Sequence, residues 1–132
     1  MSMTERNTLR FTFPLKTVSE PNTRDHWSKK GKRTSQQRNL VHMAACGHGI
    51  RTVQAPWVVT VVRIAPSNGL DPHENLPASQ KAVCDGLADA LGLKSDRDPR
   101  VEWKYDQRRG KPGEYAIEVT VAHRDEETGK EV

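Results

Sequence analysis

Five polar residues around one predicted helix are of the types that hydrolyse phosphate esters with the help of a divalent cation. They are Asp71 and Glu74 before the helix, Lys81 near its start, and Asp96 and Asp98 after its end. Hard cations such as Mg²⁺ prefer carboxylate oxygens and water, and they usually bind one or two protein acids directly. Acids that converged here would hold one or two ions against a phosphate, and a neighbouring lysine would stabilise the transition state.

The same residues also have purely structural explanations. Asp71 and Glu74 lie where the helix dipole favours negative charge, with Asn75 as the predicted N-cap, so loop and capping roles suit them. Lys81 and Asp85 are four residues apart, a spacing that brings them together on a helix surface. The sequence leaves both explanations open, and it does not decide whether the loops before and after the helix meet.

A cluster of cations between residues 24 and 38 favours a polyanionic partner. Its members are Arg24, Lys29, Lys30, Lys32, Arg33 and Arg38, with Asp25 as the one acid among them. Each phosphate that such cations neutralise releases condensed counterions, which supplies much of the affinity for nucleic acids. His26 and Trp27 could contact DNA or stack on its bases. A solvated basic face is the alternative.

Composition restricts the class of protein. The chain has 132 residues, a hydrophobic fraction of 34% and a mean hydropathy of −0.80, with a formal net charge of +4. These values predict one domain with a lean core, for which association of two copies is favourable. Cys46 and Cys84 are too few for a disulfide framework and are expected to be reduced thiols. Because no signal peptide or membrane-spanning apolar run is found, we expect a soluble, cytoplasmic protein without a membrane partner.

Hydrophobic periodicity predicts the order of the elements. They are a strand over residues 9–13, a helix over 24–46 with a candidate break at Gly31, a central strand over 56–64, a helix over 75–91, and strands over 101–105 and 115–121 joined by a hairpin at 109–113. This β-α-β-α-β-β order predicts an α+β fold of two layers, with two main helices packed on a mixed sheet. The single domain covers residues 9–122, between a flexible N-terminus (1–8) and a charged tail (123–132).

Several motifs occur in an order that resembles a known family. They are LDPHENL at 70–76, Lys81, DGLADALG at 85–92, an acidic loop with Asp96, VEWKY at 101–105, and NTRDHW at 22–27 followed by basic residues to Arg38. Together they resemble the RusA family of Holliday junction resolvases over about residues 9–122. Two departures from the family pattern are Glu74 in place of the usual Asp, and Ser95 in place of a second Asp with Lys94 inserted.

The resemblance implies a homodimeric endonuclease that cuts four-way DNA junctions with Mg²⁺ or Mn²⁺ and needs no small-molecule cofactor. It implies that Asp71, Glu74 and Asp96 ligate the metal, with Asp98 as the competitor of Asp96, and that Lys81 is the catalytic cation. The basic segment would contact DNA. Two other functions remain open: a catalytically weak protein that binds branched DNA, and a phage interaction protein without nuclease activity.

Overall fold

The computed structural model describes residues 7–17, 27–67, 69–70, 72, 74–125 and 130–131. In this part of the chain the protein is an α+β domain on a mixed sheet of four strands: β1 (Thr8–Pro14), β2 (Trp57–Ala65), β3 (Val101–Arg109) and β4 (Ala116–Asp125). The strands lie in the order β1-β4-β2-β3, with β2 and β3 parallel and the other neighbours antiparallel. A short strand, β5 (Lys130–Glu131), pairs with the end of β4.

Three α-helices of the described residues supply the second layer: α1 (Trp27–Gly47), α2 (Asn75–Ser79) and α3 (Lys81–Ala90). One apolar core joins the helices to the sheet. Its most buried members include Val41 and Ala45 of α1, Val83 and Leu87 of α3, and Val59, Val61, Val119 and Val121 of the central strands. The predicted α+β fold with a mixed sheet is therefore confirmed.

The alternation of apolar and polar residues in β1 buries one face of the strand, as predicted. Leu9, Phe11 and Phe13 are buried, whereas Arg10 and Thr12 between them are exposed. Pro14 ends the strand, and β1 lies at the edge of the sheet, where a residue without an N–H is tolerated. The period of two was therefore a sound guide to the core-facing side of this strand.

The predicted hairpin between the last two strands is wrong. β3 does not pair with β4, because the two strands lie on opposite sides of β2. β2 is buried along nearly its whole length, so it needs a hydrogen-bonded neighbour at both edges. β3 alternates exposed and half-buried residues after Val101, which suits a strand at the edge of a sheet. Residues 110–115 therefore carry the chain across the end of β2.

The first predicted helix ends where expected, at Gly47, whereas the second has different bounds in the structure. α1 runs through Gly31 without a break, and its predicted start at residue 24 lies outside the described residues. The second helix is divided at Gln80 into α2 and α3, and the N-cap of α2 is Glu74, with Asn75 as the first helical residue. Gln80 is fully buried, and its amide donates to Thr17 Oγ1 at 3.2 Å and to Ser79 Oγ at 2.8 Å.

The two thiols are free, with Cys46 exposed and Cys84 buried. No helix in the described residues is long and apolar enough to cross a membrane.

Gly86 allows α1 and α3 to cross closely. A Cβ atom at residue 86 would lie 2.6 Å from the carbonyl oxygen of Arg38 and 2.8 Å from Cβ of Val41. Because one of these atoms belongs to the backbone, α1 would have to move away. We expect Gly86→Ala to lower the free energy of unfolding by about 1–3 kcal/mol in urea titrations. Gly47→Ala is the control, because its Cβ meets nothing within 4 Å; equal effects of the two variants would contradict this close crossing.

Candidate functional site

Alternate residues of β3 face the helices and organise the candidate site. Trp103, Tyr105 and Gln107 are half-buried, whereas the residues between them are exposed. Trp103 and Tyr105 pack against the apolar core. We call Trp103, Tyr105, Gln107 and Arg109 the helix-facing row; neighbouring members lie about 6.6 Å apart along the strand. Each of the first three makes a contact that positions another part of the site.

Trp103 fixes the loop that follows α3. Its indole Nε1 donates to the backbone carbonyl of Asp96 at 2.7 Å. Gly92 has a positive φ of 80° that ends α3, and Leu93 beyond it is buried. The loop is therefore held at both ends, and the side chain of Asp96 turns back toward the start of α3.

Lys81 joins α3 to this loop. Its ammonium donates to Asp96 Oδ2 at 2.8 Å and to Asp85 Oδ1 at 3.0 Å. Both the i,i+4 pair anticipated from the sequence and a contact to the acid after the helix are therefore present. Partial burial lowers the pKa of Lys81, but the hydrogen bonds to Asp96 and Asp85 outweigh that effect and raise it. The lysine is a cation at neutral pH, placed between two carboxylates.

The structure distinguishes Asp96 from Asp98. Asp98 is bound by Arg100, whose Nε and Nη2 reach its two carboxylate oxygens at 3.0 and 2.8 Å, and whose backbone N–H donates at 2.9 Å. The side-chain hydrogen bonds from Arg100 are the main cause that lowers the pKa of Asp98 to about 2. Asp98 thus has a local partner, and Asp96 is the acid that meets Lys81.

Gln107 fixes the loop that leads to Asp71. Its side-chain amide exchanges two hydrogen bonds of 2.8 Å with the backbone N–H and carbonyl of Leu70. A Cβ on Gly69 would lie 2.8 Å from the same amide group, so a larger residue there would displace the Gln107 side chain. Asp71 itself lies outside the described residues. Glu74 is described and exposed at the N-cap of α2.

Two hollows share a wall formed by Lys81, Asp96 and Arg97. The larger has a volume of about 620 Å³ and lies between α1, α2 and β3, with Tyr105 on its sheet side. The smaller, of about 310 Å³, is lined by Asp85 and acidic and basic residues of α1, α3 and the following loop. The cation and its two acids therefore border open space large enough for part of a nucleotide.

Tyr105 and Cys84 form a neutral contact below the larger hollow. Cys84 Sγ lies 3.6 Å from the Tyr105 hydroxyl. Burial raises the pKa of the Cys84 thiol to about 12 and also raises the pKa of Tyr105. A protonated thiol is a poor nucleophile, so Cys84 serves as a small buried side chain.

The basic residues predicted to contact DNA have different environments. Arg24 and His26 lie outside the described residues, and Lys29 and Lys30 lie in the first turn of α1. Lys32 is exposed and Arg33 is half-buried. Arg38 forms a two-pronged ion pair with Asp89, with distances of 2.6 Å from Nε and 2.8 Å from Nη2. This pair ties α1 to α3, a structural role that the sequence did not reveal.

Carboxylates suited to a hard cation are present, but the described residues contain no cluster of three side chains able to ligate a metal. Asp96 and Asp85 converge on one ammonium, which shows that two acids here share a single cation. The predicted metal site of Asp71, Glu74 and Asp96 includes one residue, Asp71, that lies outside the described residues.

Sequence reasoning missed Gln107 and the tie between Arg38 and Asp89. A signal for Gln107 was present, because it continues the alternation of Trp103 and Tyr105 and is a polar residue at a core-facing position. The contact of Arg38 with Asp89 joins residues 51 positions apart, and no local pattern indicates such a contact.

Family models and curated proteins supply no relative of this chain. No protein-family model matches the chain, and no curated protein matches it. The likeness to the RusA family therefore rests on the motifs alone.

The pair of Arg38 and Asp89 should contribute a pH-dependent part of the stability. The hydrogen bond from Arg38 is the main cause that lowers the pKa of Asp89 below its ordinary value of 3.8. A lowered pKa means that the stabilisation is complete above pH 3.8 and is lost as the pH falls through the lower value. A double-mutant cycle of Arg38→Gln and Asp89→Asn should give about 0.5–1 kcal/mol at pH 7, because the guanidinium is partly exposed and screened. A coupling energy unchanged at pH 2 would contradict the assignment.

Gln107→Met should release the backbone at Leu70 while keeping the volume of the side chain. Both backbone groups of Leu70 lose their partners, so local opening becomes easier by about 1–3 kcal/mol. We expect the Leu70 amide to exchange its hydrogen about 10 to 100 times faster. Gln37→Met is the matched control, since it removes only an exposed bond to the Lys16 carbonyl. Unchanged exchange at Leu70 would show that another contact holds this loop.

Proposed function

We propose that the protein is a metal-dependent, structure-specific DNA endonuclease that resolves four-way junctions by phosphodiester hydrolysis. The observation that carries this proposal is the meeting of Lys81 with Asp96 at the wall of a hollow of about 620 Å³. A cation and an acid from opposite ends of α3 come together there. The loop after the helix thus returns to Lys81, whereas the sequence alone did not decide whether the loops on either side of the helix meet.

The proposed metal ion, Mg²⁺ or Mn²⁺, would be held by Asp71, Glu74 and Asp96 and would supply activation of a water molecule. Lys81 then has a separate role. An ammonium has three N–H donors, and the contacts with Asp85 and Asp96 account for two of them. The third is available to a phosphate oxygen in the hollow, where it would stabilise charge that develops on the phosphate.

Recognition of DNA is proposed to depend on the basic start of α1. Lys32 is exposed there, and Lys29 and Lys30 precede it on the same helix. A four-way junction has paired arms, so symmetric cleavage requires two active sites related by a two-fold axis. We therefore propose a homodimer in which each copy cuts one strand, in the cytoplasm of a bacterial or phage-infected cell.

A catalytically weak protein that binds branched DNA is the second candidate. The observation that favours it is that Asp85 and Asp96 already neutralise the ammonium of Lys81. Such a protein would bind junctions with the same salt dependence but would not cleave them when Mg²⁺ is added.

Asp71→Asn should lower Mg²⁺-dependent cleavage of a synthetic four-way junction about 100-fold or more, as read on a denaturing gel. Junction binding should stay intact or become slightly tighter, because a negative charge near the phosphates is removed. Lys81→Met should also lose cleavage while the folded protein still binds Mn²⁺.

Asp96→Asn and Asp98→Asn form a matched pair for this experiment. The first should lose cleavage and the second should retain it, because Asp98 is bound by Arg100 instead of Lys81. Cleavage at the wild-type rate by Asp71→Asn would move the metal site elsewhere. Unfolding of that variant would make Asp71 a structural loop acid, and the reverse result for the matched pair would exchange the roles of the two acids.

A further inference from the structure

Arg63 is a buried cation inside the sheet. It lies on β2, two residues beyond Val61 on the same face, and only 8% of its surface is exposed. Its neighbours across the strands are Ile117 on β4 and Gln107 in the helix-facing row of β3. A guanidinium at this position interrupts the apolar row of Val59, Val61 and Ala65 on this face of β2.

The N–H donors of the Arg63 guanidinium make few hydrogen bonds. Its Nε has no hydrogen-bond partner, and Nη2 reaches the carbonyl of Thr17 only at 3.5 Å. Among the described residues no carboxylate forms an ion pair with it, and burial lowers the pKa of its guanidinium. An arginine nevertheless stays charged near neutral pH. A buried charge without a partner is costly to the folded state, so its presence calls for an anion that the protein binds.

A cavity next to Arg63 has the size and lining that such an anion requires. Its volume is about 340 Å³, and its lining includes Arg63, Arg108, Arg109, Ser67 and Gln107. None of its described lining residues is acidic. Arg108 lies on the other face of β3, where its Nη1 is 3.7 Å from Glu118. The guanidinium groups of Arg63 and Arg109 and the hydroxyl of Ser67 supply directional donors of the kind that bind phosphate oxygens in pairs.

The cavity and the larger hollow are lined by successive members of the helix-facing row of β3. Gln107 lines the cavity and also holds Leu70, the residue before Asp71. Tyr105, the preceding member of the helix-facing row, lines the larger hollow beside Lys81. A nucleic-acid strand that crossed the two hollows would therefore place neighbouring phosphates in them.

We propose that Arg63 and Arg109 form a phosphate-binding site that holds a DNA phosphate next to the one that is cleaved. The phosphate chemistry rests on the cavity, and the assignment to DNA rests on the proposed function. The site explains why Arg63 has no carboxylate partner among the described residues, because its guanidinium gains an anionic partner when the substrate binds.

The first arm of the test uses inorganic phosphate as the probe. Thermal unfolding of the wild type is compared in phosphate and in chloride at equal ionic strength, beside Arg63→Met, Arg109→Gln and the control Arg10→Gln on the exposed side of β1. Phosphate should raise the melting temperature of the wild type and of the control, because a ligand of the native state stabilises it. Both test variants should lose most of that increase. Arg63→Met should melt in chloride at the same temperature as the wild type or higher, since a merely structural arginine would lower it.

The second arm measures junction binding as a function of salt concentration, without cleavage. Arg63→Met and Arg109→Gln should each reduce the slope of log affinity against log salt by about one, whereas Arg10→Gln should leave it unchanged. Binding of Mn²⁺, measured by calorimetry, should stay the same in all variants. This readout separates a phosphate contact from a disturbed metal site.

The outcomes separate the two proposals. Equal stabilisation of the wild type and both variants by phosphate would overturn the site. A lost response to phosphate together with unchanged salt slopes would overturn the assignment to DNA and leave a site for free phosphate. If the wild type bound no junction while Arg63 still governed its response to phosphate, the endonuclease proposal would fail and the anion site would stand. If Arg63→Met did not fold, Arg109→Gln would decide, because its side chain is exposed.

Discussion

The parallel pairing of β2 with β3 is the constraint on which the candidate site depends. Its register sets Trp103 beside Val59, Tyr105 beside Val61 and Gln107 beside Arg63. A shift by one residue would turn this row to the opposite face of the sheet, and the loops after β2 and α3 would lose the side chains that hold them. The register is itself secured by burial, because Val59 and Val61 are fully enclosed. The apolar core thus determines the geometry of polar groups several residues away.

α3 connects this sheet to the charged surface. Lys81, Asp85 and Asp89 follow one another at intervals of four residues and form a charged stripe, while Val83 and Leu87 lie in the core. Two residues of this stripe contact other elements of the fold. Lys81 reaches the loop after the helix and Asp89 reaches Arg38 on α1. Gly86 allows α1 to come close enough for the second of these contacts. The charges therefore position elements relative to each other, although each pair alone is screened and contributes little stability.

Local sequence patterns predicted the helices and strands better than they predicted which strands lie next to each other. The alternation of Leu9, Phe11 and Phe13 and the burial of β2 follow from the sequence, because each depends on residues close together in the chain. The sequence suggested a hairpin for β3 and β4, since a turn joins them, yet the need of β2 for two neighbours decided their positions. The separation of Asp96 from Asp98 depends on contacts with Lys81 and Arg100, and the split at Gln80 depends on Thr17. Spacing alone does not encode these choices.

The polar residues that break the apolar pattern are clustered. Gln80 is fully buried and donates to Thr17, Arg63 is buried and reaches the carbonyl of the same residue, and Gln107 beside it holds Leu70. In a domain with a lean core, an apolar side chain in place of Arg63 would give a fold at least as stable, because the guanidinium has few partners. Buried polar residues scattered through the core would indicate only that the fold tolerates them. Buried polar residues that cluster near one end of β2 and β3 are typical of a functional site. This end also leads toward Asp71 and contains the cavity beside Arg63, and under the proposed function it would hold a substrate with several phosphates.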